Sequence, residues 1–333
     1  MVLNAGNSRQ EAITRVADSA RLVEESGQHK LIFRAMSTEC RVQVHGISKD
    51  KAQDFFREVV GWVAEFEAHY SRFIPDSLIG RINAAAGMDW VEIDPESERL
   101  FKFCQELVFL TAGAFDPTAL PLIKLWNWKA LPPSIPEEAA IRAARELVGW
   151  NKVQRRSGGI FLPRAGMCLD LGGIGKEYAV DRVVSMGQER AIPNVLVDFG
   201  HDVRVQGHAP NKKFWWIGLE DSNQPGKCWT GVAVTDKAVA TSGDYVRHFE
   251  INGRRYGHII DPRTGYPVDN GCHAVSVIAP SCTMAGVLST SALILGAEQG
   301  LRLIENTVGG AGVITTARNR LCTRKFHEYA PPS

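Results

Sequence analysis

The stretch 239–268, VATSGDYVRHFEINGRRYGHIIDPRTGYPV, sets His258 between two turns suited to holding a ligand. Ser242-Gly243-Asp244 offers a hydroxyl, a backbone tolerant of positive φ and a carboxylate within three residues, the equipment of a turn that approaches a polyphosphate or nucleoside. A strand pair is predicted next. Val246, His248 and Glu250 alternate with Arg247, Phe249 and Ile251, Asn252-Gly253 signals a hairpin, and Arg255 to Ile260 can return as the partner strand. His258 then falls near the end of that strand, directly before the tight turn Asp261-Pro262-Arg263-Thr264-Gly265. A histidine so placed is either a packed structural residue or a proton-transfer group, and the two flanking turns favour the second.

Four other segments have similar character. LDLGGIGKEYAVD (169–181) passes from a short apolar strand through a glycine turn into a helix, where free amides and the helix dipole favour an anion, although the spacing fits neither GxGxxG nor a Walker loop. GAFDPT (113–118) puts an aromatic ring, a carboxylate and a hydroxyl on a proline-set turn. YSRFIPDSLIGRIN (70–83) places Phe73 ahead of Asp76-Ser77, an N-cap signal for the next helix. DFGHDVRVQG (198–207) crosses a Gly-His-Asp turn between β-rich runs.

The elements around these loops predict an α+β order. Leu31 to His45 reads as a strand and Lys49 to Ala68 as a helix with Phe55, Val59, Trp62 and Phe66 on one face. Helices are expected over 98–112 and 136–148, strands within 151–171 and 194–220, with Trp215-Trp216 packed in a sheet. A strand over 272–279, a helix from Ser281 to Asn306 and short strands over 311–327 complete the order. Residues 1–30 form a polar extension with Ile13, Val16, Ala20 and Val23 at helical spacing, and 31–330 form one further domain.

Composition limits the possible functions. At 333 residues with 44% hydrophobic side chains the chain can bury a large core. A net charge of +1 without a long basic run argues against a nucleic-acid partner. The longest apolar run, Val287 to Gly296, is too short for a membrane span. Seven cysteines without CxxC spacing suggest reduced, mostly buried thiols rather than a disulfide frame or zinc site. With no signal peptide or early lipobox cysteine, the sequence as given is expected in the cytoplasm.

In chain order the motifs AMSTECRVQV, RFIPDSLIGRIN, GAFDPT, LDLGGIGKEYAVD, GHD, WWIGLED, ATSGDY, HIIDPRTGYPV and AGVLSTSALILG resemble those of the ApbE family, the FAD:protein FMN transferases, over roughly residues 33–320. The resemblance implies an ApbE-like, T-fold-related α+β fold of mixed sheets flanked by helices. It also implies cleavage of the FAD pyrophosphate and attachment of FMN to a threonine or serine exposed on a partner protein, with release of AMP and help from magnesium. Carried over by motif, His258 would be the base that activates the acceptor hydroxyl or positions the phosphoryl group, and Phe73 would pack on the isoalloxazine ring. Met36, Asp76, Ser77, Asp116, Thr118, Lys176, Ser242, Gly243, Asp244, Asp261 and Thr264 would contact FAD.

Departures from the family pattern fall at the metal. The resemblance implies an aspartate and a threonine four residues apart on the late helix, with a backbone carbonyl near Gly173 as third ligand. This chain keeps Thr290 but has Gly286 in the aspartate's place. Glu177 stands where a glycine is usual, as does His201; either is a compensating ligand or drift. Aspartate at 286 should be tolerated and should restore metal binding. Three activities therefore remain open: flavin transfer, FAD binding without transfer, and hydrolysis of the FAD pyrophosphate.

Overall fold

Sheet pairing begins earlier in the chain than expected. The computed structural model describes residues 8–25, 27–222, 224–244 and 247–330, so residues 1–7 of the expected extension, Tyr245 of the ATSGDY motif and the predicted strand residue Val246 lie outside the described residues. Helix α1 (Arg9–Asp18) is followed by strands β1 (Arg21–Glu25), β2 (Gln28–Ala35) and β3 (Thr38–His45). Ser8 and Glu11 close a capping box on α1, whose Ala12 and Val16 are fully buried. The expected helix therefore stops before Ala20 and Val23, and a domain boundary at residue 30 would cut β2, because β1 and β2 pair from Arg21↔Ile32 onward. What reads as one strand from Leu31 to His45 is a hairpin, turned at Met36 and Ser37, whose φ values of 49° and 62° suit the right-handed twist of its strands.

Next come helices α2 (Lys49–Tyr70) and α3 (Leu78–Ala84), strand β4 (Val91–Glu92), and helices α4 (Pro95–Leu110), α5 (Leu120–Leu125) and α6 (Glu138–Glu146). The chain continues through β5 (Gln154–Arg156), β6 (Gly159–Phe161), α7 (Gly175–Glu189), β7 (Asn194–Phe199), β8 (Asp202–Gln206), β9 (Trp215–Glu220), β10 (Cys228–Val234), β11 (Ala238–Gly243), β12 (His248–Ile251) and β13 (Arg254–Gly257). It ends with β14 (Cys272–Ala279), α8 (Cys282–Leu295), α9 (Ala297–Asn306), β15 (Ala311–Thr316) and β16 (Arg320–Cys322). The single helix expected from Ser281 to Asn306 is broken at Gly296, where φ is +83°; Asn270 there donates to the carbonyls of Leu293 and Ile294 and closes the end of α8.

A nine-stranded antiparallel sheet in the order β1-β2-β3-β7-β8-β11-β14-β15-β16 forms the centre. Its middle strands are buried on both faces, with period two deciding which side chain goes where. Val275 and Val277 of β14 join the main core with α2, α7 and α8, while Ile278, Val239 and Val313 pack under the β9–β10 hairpin. That hairpin divides the expected tryptophan pair. Trp215 is buried and donates its indole N–H to the Gln206 carbonyl, whereas Trp216 points outward, 53% exposed. Among the described residues no helix is long and apolar enough to cross a membrane.

Candidate functional site

The expected ligand loops fall into two groups: those that present atoms and those that hold the loops in shape. Phe73 belongs to the first. It is 59% exposed, its ring lies 4.2 Å from the Arg72 guanidinium, and with Ser37, Thr38 and Ser71 it lines a cleft of about 160 Å³. Arg72 is fixed in turn by Asp170 at 3.1 Å. Met36, half-buried at the adjoining turn, donates its N–H to Glu67. Asp76 is exposed.

Three of the predicted cofactor contacts are used internally. Ser77 is fully buried as the N-cap of α3, accepting from Gly80 N–H and donating to the Ser71 carbonyl. Thr118 is also fully buried; its hydroxyl donates to Asp116 and accepts from Gly149 N–H. Both hydroxyls are buried and committed within the protein, where they shape their loops. Asp116 accepts from Thr118 and from Trp150 N–H, and burial raises its pKa despite those bonds. Thr118 and Asp116 together tie the GAFDPT turn to the chain at 149–150.

The loops around His258 differ from expectation in one respect. Ser242-Gly243 is not a free turn but the end of β11, because pairing with β14 runs through Gly243↔Ala274. Asp244 follows, its Oδ1 lying 3.6 Å from His273 Nδ1 and 3.8 Å from the Arg255 guanidinium. His258 comes directly after β13, and its backbone N–H donates to the Arg247 carbonyl. The same carbonyl lies 3.2 Å from Nδ1, which selects the tautomer with the proton on Nδ1 and the lone pair on Nε2. Burial, then Arg247, pushes the imidazole pKa down to about 4, so the ring is neutral near pH 7. Beyond it, Asp261 is engaged through both carboxylate oxygens by Arg263, so it shapes its own turn. Gly265 is required there, since φ is +86° and a Cβ would meet Ile141 at 2.9 Å. Thr264 remains exposed on that turn.

Helices α7 and α8 carry the third part of the site. Ser242 Oγ lies 2.8 Å from Ser289 Oγ and 2.7 Å from Thr290 Oγ1, so one β11 residue gathers two α8 hydroxyls. Lys176 pairs with buried Asp202 of the GHD turn and reaches Glu177 Oε1 at 3.3 Å. Glu177 is 7% exposed, and its Oε2 has no hydrogen-bond partner among the described residues. Gly173 lies in the exposed turn before α7. His201, with φ of 72°, is exposed and donates its backbone N–H to Asp198.

Sequence reasoning passed over Ser289, Asp181 and Arg72. Gly286, Ser289 and Thr290 stand at i, i+3 and i+4 of an otherwise apolar helix, a small polar stripe that could have marked Ser289. Asp181 lies one turn beyond Glu177 but gives no local sign of its tertiary partners.

An imidazole whose Nε2 has no hydrogen bond among the described residues, a cluster of three hydroxyls and a buried carboxylate are groups of the kind that serve transfer chemistry on an anionic ligand. The chain belongs to the ApbE family, whose sequence profile matches residues 36–315. The FAD:protein FMN transferase of Treponema pallidum is 32% identical over 306 residues, covering 86% of this chain and 83% of that protein. The FAD:protein FMN transferase of Vibrio cholerae is 30% identical, covering 88% and 86%. Among solved structures, the ApbE protein of Thermotoga maritima superposes with a TM-score of 0.83 at 28% identity, covering 92% of this chain and all of that one. The flavin transferase ApbE from Vibrio cholerae gives a TM-score of 0.79 at 25% identity, covering 93% and 99%.

Proposed function

We infer that the protein is an FAD:protein FMN transferase. The observation that carries this reading is His258, anchored through Nδ1 with Nε2 unbonded among the described residues, in a chain related over most of its length to enzymes of that name. In the step proposed, a threonine or serine oxygen of the acceptor protein attacks the phosphorus on the FMN side of the FAD pyrophosphate. Its proton passes to His258 Nε2, the P–O–P bond breaks, and AMP leaves with the bridging oxygen. A hydroxyl is a weak nucleophile until a base takes its proton, which gives the imidazole its role. Phe73 offers a face for the isoalloxazine ring, and Met36, Asp76, Lys176, Ser242, Gly243, Asp244 and Thr264 stand along the ligand's path.

The reading implies magnesium, which neutralises charge on the pyrophosphate oxygens when bound. The residues present fit a hard cation: the hydroxyls of Thr290, Ser242 and Ser289 converge, and Glu177 adds a buried carboxylate oxygen without a partner. We assign Thr290 and the Gly173 carbonyl as holders, with Glu177 considered below. The seven free cysteines suit a reducing compartment, which supports the cytoplasm.

Incubating the protein with FAD, Mg²⁺ and a redox subunit bearing an exposed threonine motif should yield covalent flavin by in-gel fluorescence and mass spectrometry, with AMP released. Free FMN and AMP in the presence of acceptor would indicate a hydrolase instead, and bound FAD without either product a non-transferring binder. The pH dependence provides a further check. Because His258 is lowered to about 4, it stays a competent base down to that region, and kcat/KM should show no acidic limb between pH 6 and 7. A limb centred near 6.5 would count against this assignment. Stability follows the same sign: the unfolded chain protonates first, so the contribution from His258 is present above about 6.5 and lost as pH falls towards 4.

A further inference from the structure

We propose that Glu177, reaching across from α7 into the space left by the missing side chain of Gly286 on α8, is the anionic ligand of the divalent cation at this site. The proposal rests on the transferase reading for the cation's purpose but on geometry for its place. Helices α7 and α8 are joined in antiparallel register by Asp181, which accepts from Cys282 N–H at 2.7 Å, Thr283 N–H at 2.9 Å and Thr283 Oγ1 at 2.7 Å. One turn along, the same register brings Glu177 onto Gly286. A Cβ built at 286 would lie 2.6 Å from Glu177 Cγ, 3.2 Å from Cδ and 3.3 Å from Oε1. The glutamate therefore occupies the volume that a residue-286 side chain would need.

A carboxylate oxygen buried without a hydrogen bond is unfavourable unless something cationic meets it. Lys176 meets only Oε1, at 3.3 Å, and is also committed to Asp202. Oε2 is the unclaimed atom. On the next turn of α8, Ser289 and Thr290 form with Ser242 a hydroxyl group of oxygen donors. One buried carboxylate with neutral oxygens and a loop carbonyl is a donor set of the kind that holds Mg²⁺ or Mn²⁺.

This packing bears on the expectation that aspartate is tolerated at 286, because Glu177 would have to move to admit any side chain there. Gly286→Asp alone puts two side chains in one volume and two carboxylates together, so it should lower Tm and fail to tighten metal binding. Glu177→Gly with Gly286→Asp exchanges the two and should recover much of both losses.

The test uses the full-length protein with and without FAD, measuring Mg²⁺ by calorimetry and Mn²⁺ by electron paramagnetic resonance, alongside thermal unfolding. Glu177→Gln keeps the shape, removes the charge, and should weaken metal binding at least tenfold while the protein stays folded. The double variant should bind metal more tightly than Gly286→Asp alone. A parent that binds neither ion, or a Glu177→Gln variant that binds as tightly as the parent, would overturn the proposal; the latter result, with lowered Tm, would make Glu177 only the ion-pair partner of Lys176. If the double variant does not fold, Glu177→Gln decides the matter. Failure of the transferase reading is separable: metal binding that depends on Glu177 without FMN transfer keeps this assignment and removes that one, and transfer with Glu177-independent metal binding does the reverse.

Discussion

Replacing His258 by alanine should lower FMN transfer to a threonine acceptor by about two to four orders of magnitude, with FAD affinity changed by no more than about twofold. The ring is anchored by one Nδ1 bond to the Arg247 carbonyl and edge contact with Trp128 at 6.5 Å between ring centroids. The adjoining backbone is held independently by His258 N–H to that carbonyl and by Val268 N–H to the Ile259 carbonyl. Removing the imidazole therefore costs the base and little of the loop. Stopped assays of covalent flavin, FAD titration by fluorescence and thermal unfolding separate the outcomes. A variant that unfolds would identify a structural histidine, whereas a folded variant with unchanged transfer would remove His258 from the chemistry. Added imidazole should restore part of the lost rate if the missing group is the base.

Asp181→Ala should produce the largest loss of stability. Its carboxylate binds the two free N–H groups at the start of α8, the Thr283 hydroxyl and Arg204, with Asp181 and Arg204 side chains only 16% and 19% exposed. Ser281 satisfies the next N–H, from Met284, so the start of this helix is capped jointly by its own N-cap and by a residue of α7. Alanine leaves these donors and a guanidinium without their acceptor, a cost of about 3–5 kcal/mol for breaking a buried charge network. Tm should fall by roughly 4–7 °C on that basis. Because the same contact sets the register of α7 on α8, metal binding should weaken as well. Asp181→Asn retains acceptor capacity and should lose less. A Tm within a degree or two of the parent for Asp181→Ala would show that packing alone fixes the helix pair.

Much of the fold was legible from local pattern. The predicted 272–279 matches Cys272–Ala279, a mostly apolar run bounded by turn residues and buried at every position but His273. The amphipathic face of α2 carried Phe55, Val59 and Phe66 into the core as its spacing required. Asn252-Gly253 placed the turn between β12 and β13, and His258 came at the end of the return strand. Errors arose where one backbone choice breaks a longer pattern. Met36 and Ser37 at positive φ turn one expected strand into two, and Gly296 splits one expected helix.

At the site, the sequence alone determined which residue types were present and, through ordered motifs, which chemistry they could serve. It could not determine which polar groups were already spoken for. Ser77, Thr118 and Asp261 read as ligand contacts because hydroxyls and carboxylates on turns bind ligands and close turns with the same atoms; only the three-dimensional partners decide which. The metal position was harder still. Gly286 and Glu177 each look like a loss when read along the chain. Their meeting depends on the register of two helices brought together by Asp181 from 101 positions before Cys282. Spacing along a chain fixes which residues share a helix face, but which face meets which is set by packing, and that is why the carboxylate at Gly286 appears only in the tertiary structure.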